Sequence, residues 1–418
     1  MWKKKPTEVE SMILIECFTE AHVDNVAACL RLRPQTMVML GNAEEMSVAV
    51  KRYKNLFKQR NISVDVRSCD LKGKDFGEIC HVLFRLMQED TDYVIDMTGG
   101  DETIAMAIGA VVANLDEKKR ARVRVEKYDH SREVIRDFLQ DNNTVSARAV
   151  ELTVREMIEL HGGIVLADAY QLDEDVRLKE VDGLWKLSSA NPKAWNRGIS
   201  VLSEFESRSD SKTQVFLRLD YLRDSIANFE EKEKIVRDLL EQLDKIGVIR
   251  NRSSRDVLEY TYTSSLLRYS TLKAGNILEV KTLLEGRGVK DQGAPYFRDC
   301  QMSVSIDWDG IVHAFYEKVP ETRNEIDVVL MHGTTPLFIS CKNGKIGEEE
   351  LYKLHTVAER FGGPYAKKML IATNLDQSSV ASNRSFTQRA WDMDIFLVTD
   401  AAELTKEEWR EIFRQAIK

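Results

Sequence analysis

The 418-residue sequence predicts an α/β protein of three parts: a parallel α/β domain, a mainly helical connector and a second α/β domain. Three features of the pattern predict this. Short apolar runs alternate with helical patterns from residue 12 to about residue 170. The pattern is then helical and strongly charged to about residue 270, and a mixed order of helices and strands follows Leu272. A chain of this length exceeds what one hydrophobic core usually serves, so several domains are expected.

The first part, residues 1–170, has the pattern of a Rossmann-like domain. Its expected strands, separated by helical segments, are residues 12–15, 37–40, 62–66, 94–96 and 123–128. Short strands joined by crossover helices predict a parallel sheet. The segment 154–169 is expected to close this domain.

Two loops of this domain are expected to meet at the carboxyl edge of its sheet, because they follow its first and fourth strands. They are residues 16–20, Glu-Cys-Phe-Thr-Glu, and residues 96–103, Asp-Met-Thr-Gly-Gly-Asp-Glu-Thr. Ligands of doubly wound sheets bind at this edge. Gly99 and Gly100 let backbone N–H groups approach an anion at a helix N-terminus, which favours phosphate. On its own, the loop is equally consistent with a tight turn in which Thr98 caps the helix.

The connector, residues 171–270, has a helix–turn–helix and hairpin order that is winged-helix-like. Ile235, Leu239, Leu243 and Ile246 mark one buried helix face before Gly247. A winged helix suggests DNA binding. A connector or dimerisation module is favoured here, because a DNA-reading helix needs Lys and Arg. The stretch is instead rich in acids, namely Glu230, Glu231, Glu233, Asp238 and Glu241.

The last part, residues 271–418, has the order αβββαβ followed by αβ. Asp327 lies within an otherwise apolar strand, where an unpaired carboxylate would cost several kcal/mol to desolvate. A turn through His332 and Gly333 returns the chain, so that the end of the next strand lies beside Asp327. Period-two alternation then places Ser340 and Lys342 on the face that Asp327 shares. The alternative is a structural ion pair at the edge of a sheet.

An acid, a second oxygen ligand and a lysine on adjacent strands suit phosphodiester hydrolysis. The carboxylate can hold Mg²⁺ or Mn²⁺, and the metal polarises the phosphoryl oxygen and acidifies a water. The lysine can orient that water or neutralise developing charge.

These residues resemble the PD-(D/E)xK nuclease superfamily, over roughly residues 272–399. The resemblance implies that Asp327 is the first acid, Lys342 the catalytic lysine and Glu279 the upstream helical acid, with Asp327 and Glu279 as metal ligands. Ser340 stands where the superfamily has its second acid. This departure implies a weaker metal site, or rescue by Glu279 or Glu325.

The order of the three parts is similar to that of the type III CRISPR effector nucleases with a CARF sensor domain. That resemblance implies allosteric activation by a cyclic oligoadenylate, usually cyclic tetra-adenylate, which binds across a homodimer interface. The residues that match its ligand-binding loops, with two further contacts after the second strand, are Cys17, Phe18, Thr19, Thr98, Gly99, Gly100, Asp101, Glu102, Thr103, Gly41 and Asn42. Many CARF domains have Thr-Lys where this chain has Asp101 and Glu102, so phosphate neutralisation must rest more on backbone N–H groups.

Composition limits the partners. The net charge of −8 means that any nucleic acid must contact a local basic groove rather than the whole surface. The six cysteines form no CxxC or Cys/His cluster, which argues against zinc and a disulfide framework. No stretch approaches the roughly 18 apolar residues of a spanning helix, so no membrane partner and a cytoplasmic location are expected.

The sequence therefore predicts a homodimeric, metal-dependent nuclease, activated by cyclic oligoadenylate, that cleaves single-stranded or supercoiled DNA, RNA or both. Two alternatives remain. One is a stand-alone restriction or repair nuclease whose first domain binds another nucleotide. The other is a ligand-responsive regulator in which the winged helix binds DNA and the nuclease fold is vestigial.

Overall fold

The computed structural model describes residues 11–129, 134–139, 144–146, 150–166, 177–209, 211, 213–311, 323–344, 346–373 and 380–418. Within these ranges, no helix combines the length and apolar character needed to cross a membrane.

The first domain is a parallel α/β sheet with an antiparallel extension. Its elements are β1 (Met12–Cys17), α1 (Asp24–Leu32), β2 (Thr36–Gly41), α2 (Ala43–Gln59), β3 (Asp65–Asp70), α3 (Phe76–Leu86), β4 (Asp92–Asp96), α4 (Glu102–Ala113), α5 (Glu117–Arg120), β5 (Val123–Asp129), β6 (Val134–Asp137) and β7 (Thr144–Ser146). The described strands are ordered β3-β2-β1-β4-β5-β6-β7. The first five strands in this order, β3, β2, β1, β4 and β5, are parallel. The predicted Rossmann-like sheet is confirmed. The chain adds β2 and β3 on one side of β1 and then crosses to add β4 and β5 on the other side. Ligands of such sheets bind at this switch point between β1 and β4.

The segment that follows does not close this sheet as predicted. It forms α6 (Val154–Leu160) and β8 (Ile164–Val165), and β8 pairs antiparallel with a strand of the C-terminal sheet, with Val165 opposite Ile306. A two-residue strand carries too little pattern to reveal its partner. The assigned domain ranges stay predictions, but this segment links the two α/β domains.

The connector has the predicted winged-helix-like order. Its elements are α7 (Leu178–Ala190), α8 (Pro192–Glu206), β9 (Gln214–Arg218), α9 (Leu219–Leu222), α10 (Phe229–Lys245), β10 (Ile249–Asn251), β11 (Val257–Tyr262) and α11 (Ser265–Leu272). The three strands form a small antiparallel sheet in the order β10-β11-β9.

The C-terminal domain has the predicted αβββαβ order followed by αβ. Its elements are α12 (Asn276–Arg287), the short pair β12 (Lys290–Asp291) and β13 (Ala294–Pro295), β14 (Asp299–Asp307), β15 (Arg323–His332), β16 (Thr335–Lys342), α13 (Glu349–Gly362), a 3₁₀ turn (Gly363–Tyr365), β17 (Lys367–Ala372), α14 (Val380–Asp392), β18 (Ile395–Val398), a second 3₁₀ turn (Ala401–Glu403) and α15 (Lys406–Ile417). In the described sheet β14, β15 and β16 are antiparallel neighbours, and β17 and β18 continue it in parallel.

Helix α12 is fixed between the connector and the C-terminal sheet. Most of its residues are buried, and an ionic network ties it to α7 and α15. Lys281 Nζ lies 2.7 Å from Glu285 Oε1 and 3.1 Å from Asp182 Oδ1, and Lys406 also contacts Asp182. This anchoring fixes the backbone from which Glu279 projects.

The first sheet and the C-terminal sheet share an apolar core. Helix α6 packs against α2 on one side and α13 on the other. Arg60 on α2 forms a bidentate ion pair with Glu156 on α6, and the hydroxyl of Tyr365, just after α13, donates to Asp24 Oδ2 on α1 at 3.0 Å. The two sheets are therefore joined by apolar packing and by these side-chain contacts.

Candidate active site and ligand-binding loops

The strands separate at Asp327. The β15–β16 register runs from His332 only to Val328, and Asp327 Oδ2 then accepts the Cys341 N–H at 2.6 Å and the Ser340 hydroxyl at 3.3 Å. The carboxylate thus replaces a main-chain acceptor at the point where the strands part. Two groups of β16 therefore hold Asp327 at the point where β15 and β16 separate.

Lys342 lies beside Asp327, as the alternation pattern predicted. Its Nζ is 3.8 Å from Asp327 Oδ2 and 2.9 Å from Glu350 Oε2, which projects from the first turn of α13. Burial lowers the pKa of Lys342, but the charge of Asp327 and the hydrogen bond that Lys342 donates to Glu350 outweigh it, so the pKa is raised. The lysine is therefore a cation at neutral pH.

Glu279 reaches the same region from α12. Burial, then repulsion by Asp327, raises the pKa of Glu279 to about 7, and the Tyr269 hydroxyl donates to Glu279 Oε2 at 2.5 Å. Burial also raises the pKa of Asp327, and Glu325 adds to this, while Lys342 opposes it. Two crowded carboxyl groups with raised pKa values form a site that a cation would stabilise.

The donor chemistry fits a hard divalent cation. Among the described residues, no group of three or more His, Cys, Asp or Glu side chains is arranged as a metal site. Mg²⁺ is commonly held by one or two carboxylates, with water and substrate phosphate completing its shell. Asp327 and Glu279 are two carboxyl groups close enough to repel each other, and Glu325 lines the same pocket as Asp327, Ser340 and Lys342.

Sequence reasoning missed Tyr269 and Glu350. Glu350 lies in the first turn of α13, one loop after Lys342. Its approach to Lys342 could have been predicted, because a helix often packs back on the strand that precedes it. Tyr269 had no comparable signal, because its approach to Glu279 depends on the turn between α11 and α12.

The two predicted ligand loops meet at the carboxyl edge of the first sheet, next to the loop after β2. Glu16 is the register partner of Asp96, which places the loops after β1 and β4 side by side. A Cβ on Gly99 would lie 2.3 Å from the Cys17 carbonyl oxygen, so only glycine permits this contact between the loops. Phe18 N–H donates to the Leu40 carbonyl, which brings in the loop after β2.

Glycine is also required at position 100. Its φ is +86°, and a Cβ there would lie 2.8 Å from the Cys17 Cβ. The Cys17 side chain is itself buried in the core, so its main chain is the part of this residue that a ligand could reach.

Thr98 does not cap α4. Its N–H donates to Asp96 Oδ1 at 2.7 Å, its hydroxyl contacts the same oxygen, and the Tyr128 N–H donates to the hydroxyl at 2.9 Å. The cap is Asp101, whose Oδ1 accepts the Ile104 N–H at 2.9 Å. The Thr98 side chain thus ties β4 to β5.

The other predicted ligand residues lie around this edge. Glu102 and Thr103 are exposed in the first turn of α4, and Thr19 is half-buried next to Gly99. Asn42 caps α2 by accepting the Glu44 N–H at 3.0 Å, and Gly41 lies against Phe18. The structure therefore brings all the predicted ligand residues to one edge.

A buried acid lies directly beneath these loops. Glu16 is 0% exposed, and within the described residues neither of its carboxyl oxygens has a hydrogen-bond partner. Burial, then repulsion by Asp96 and Asp24, holds the pKa of Glu16 well above its usual range. Burial likewise raises the pKa of Asp96 to about 6, while Thr98 opposes the shift. The fold therefore favours a protonated Glu16.

We expect Glu16→Gln to raise the melting temperature at pH 8 relative to wild type, and to change it little near pH 5. A carboxyl group whose pKa is raised by folding favours the folded state least at high pH, because the unfolded chain releases a proton there that the folded chain retains. Each unit of pKa difference between the folded and unfolded states corresponds to about 1.4 kcal/mol, and one kcal/mol shifts the melting temperature by roughly 2–4 °C in domains of this size. Exposed Glu20→Gln is the matched control. An equal effect of Glu16→Gln at both pH values would contradict this account.

Comparisons with known proteins match the C-terminal part of the chain by family and the whole chain by fold. Residues 269–414 match the family described as Card1-like, endonuclease domain. A search of curated proteins finds no match. The whole fold is similar to that of protein VC1899 from Vibrio cholerae, with a TM-score of 0.71 and 16% identity over 97% of this chain and 96% of that chain.

It is also similar to Can2 from Sulfobacillus thermosulfidooxidans, solved in complex with cyclic tetra-adenylate. The TM-score is 0.63 and the identity 15%, over 97% of this chain and 99% of that chain. The resemblance to CARF-linked effector nucleases is thus confirmed, by fold over the whole chain and by family over the endonuclease domain.

Proposed function

We propose that this protein is a metal-dependent nuclease switched on by a cyclic oligoadenylate, and that it serves type III CRISPR antiviral defence. The cluster of Asp327, Glu279 and Lys342 within a Card1-like endonuclease domain carries this proposal. The fold shared with Can2, whose structure contains cyclic tetra-adenylate, supports the choice of activator.

In this proposal Asp327 and Glu279 would hold Mg²⁺ or Mn²⁺, which would supply Lewis acidity at the phosphate and to a water. Lys342 orients the attacking water and neutralises charge that develops on the phosphate. The Ser340 hydroxyl and the Cys341 N–H fix Asp327, and Glu350 fixes Lys342.

The missing second acid has a nearby substitute. Ser340 provides a hydroxyl where the superfamily has a carboxylate, so the site depends more on its remaining acids. Glu325 lies two residues before Asp327 on the same face of β15 and lines the same pocket. It is the acid available to supplement Asp327 and Glu279.

The proposed activator site is the edge formed by the loops after β1, β2 and β4. Backbone N–H groups at Gly99 and Gly100 precede α4, where phosphate binding is favoured. Exposed Asp101 and Glu102 bring negative charge to this edge, so the ligand's phosphates would depend on N–H groups. Phe18 and Asn42, on the neighbouring loops, are the proposed contacts for adenine and ribose.

A homodimer is part of this proposal. Helices α3 and α4 pack side by side and expose large apolar side chains, with Met106 66% and Phe84 49% exposed. Exposed apolar side chains of this size suit an interface with a second copy.

The proposed coupling between the sites follows the packed elements. A ligand that displaces the loop after β1 would act on α1, whose Asp24 accepts a hydrogen bond from Tyr365 in the 3₁₀ turn that follows α13. Helix α13 also carries Glu350, the partner of Lys342. Ligand binding can change cleavage only through a difference in affinity between two arrangements of these elements.

The test is cleavage of single-stranded DNA, supercoiled DNA and single-stranded RNA in Mn²⁺ or Mg²⁺, with and without cyclic tetra-adenylate. We expect cleavage of at least one substrate that requires metal, stops with EDTA and is faster with the activator. Equal rates with and without activator would favour a stand-alone nuclease. Specific duplex binding without cleavage would favour a regulator with a vestigial nuclease fold.

A further inference from the structure

Glu279 has a close polar partner that the predicted nuclease motif does not include. Tyr269 lies on α11, the last helix of the connector, ten residues before Glu279 in the chain. Its hydroxyl donates to Glu279 Oε2 at 2.5 Å, across the turn that joins α11 to α12. The bond engages Oε2 of Glu279 and limits how the carboxyl group can rotate.

Tyr269 is itself held in place from two sides. The side-chain amide of Asn276, in the first turn of α12, donates to the Tyr269 carbonyl at 2.8 Å, which fixes the end of α11 against α12. The Tyr269 hydroxyl also contacts the Ser303 hydroxyl on β14. A phenol has one O–H to donate. With that O–H on Glu279, the Ser303 hydroxyl becomes the donor to the Tyr269 oxygen.

The backbone at Ser303 supports this arrangement. Ser303 has φ +50°, a left-handed conformation that is uncommon outside glycine and costs ~1–3 kcal/mol. The β14–β15 register pairs Met302 with Val328 and Val304 with Ile326, but the step between Ser303 and Asp327 is missing from it. Strained backbone therefore lies opposite Asp327, where it delivers the hydroxyl that Tyr269 contacts.

We propose that Tyr269 is a positioning residue that orients Glu279 for metal binding, with Ser303 as its support. The proposal rests on the metal-dependent function above. Residues that hydrogen-bond a metal's ligands fix the orientation of those ligands, and their loss typically lowers metal affinity or activity ~10–100-fold. Through Tyr269, the connector contributes directly to the metal site of the nuclease.

The direct test is Mn²⁺ binding to the full-length protein, measured by the EPR signal of free Mn²⁺ without substrate. We expect Tyr269→Phe to weaken Mn²⁺ binding ~10–100-fold. Saturating Mn²⁺ should largely restore its cleavage rate, because the ligands and Lys342 remain. Tyr221→Phe, at a tyrosine that is 71% exposed on α9, is the matched control and should bind Mn²⁺ as wild type does.

Wild-type Mn²⁺ affinity in folded Tyr269→Phe would overturn this proposal alone, whereas a wild-type protein that binds no Mn²⁺ would overturn the metal-dependent function as well. If Tyr269→Phe does not fold, Ser303→Ala becomes decisive, because it leaves Tyr269 in place and removes the supporting hydroxyl. Weaker Mn²⁺ binding by Ser303→Ala supports the proposal, and unchanged binding overturns it.

Discussion

Replacing Asp327 with alanine is expected to lower the rate of metal-dependent cleavage by about 10³-fold or more. The variant loses a proposed metal ligand and with it several kcal/mol of transition-state stabilisation. Each 1.4 kcal/mol that is lost lowers the rate roughly tenfold. The cleavage rate of Lys342→Ala should fall roughly 10²–10³-fold, because this variant lacks a positive charge beside the reacting phosphate. Both effects are measured as single-turnover rates at saturating metal and activator.

Two comparisons separate chemistry from folding. Asp327→Asn keeps an oxygen that can accept the Cys341 N–H and the Ser340 hydroxyl but removes the charge, so it should be folded and inactive. Asp238→Asn, on the exposed face of α10, is the matched control and should cleave normally. Calorimetry should show unchanged activator binding in Asp327→Asn. Normal cleavage by Lys342→Ala would mean that the site is wrongly assigned.

Replacing Gly99 with alanine is expected to weaken activation by cyclic tetra-adenylate about 10- to 100-fold. The added Cβ would meet the Cys17 carbonyl oxygen at 2.3 Å and the Thr19 Cγ2 at 2.8 Å, so the two ligand loops must separate. Overpacking of this kind costs about 1–3 kcal/mol, and each 1.4 kcal/mol is tenfold in affinity. The measurement is the cyclic tetra-adenylate concentration that gives half-maximal cleavage.

Gly77→Ala is the matched control in the same domain. A Cβ at Gly77, in the first turn of α3, meets only Asp75 Oδ1 at an ordinary 3.4 Å, and alanine is favoured in a helix. We expect this variant to keep wild-type activation. If Gly99→Ala also responds to cyclic tetra-adenylate as wild type does, the activator does not bind at this edge.

The sequence predicted those parts of the site that follow from strand periodicity. Alternation along β16 predicted that Ser340 and Lys342 face Asp327, and the hairpin between β15 and β16 predicted their approach. Glu279 came instead from the resemblance to a known family. Its contact with the site depends on the ionic network that anchors α12, whose partners lie far apart in the chain.

The sequence did not predict features that depend on geometry between elements. Strand β8 is too short to show which sheet it joins, and its pairing with β14 is a tertiary contact. Thr98 has the residue type of a helix cap, but the buried carboxylate of Asp96 captures its hydroxyl and leaves the cap to Asp101. The positive φ of Ser303 follows from the separation of β14 and β15 at Asp327, which residue type does not reveal.

The central claim is that one chain couples a cyclic oligoadenylate site to a metal-dependent nuclease site. The most direct measurement is the single-turnover cleavage rate in Mn²⁺ with and without saturating cyclic tetra-adenylate, with Asp327→Asn as the inactive reference. Allosteric coupling typically amounts to 1–3 kcal/mol, so we expect an increase of about 5- to 150-fold, lost in Asp327→Asn. Identical rates with and without the activator, at a concentration where calorimetry shows it bound, would contradict the account.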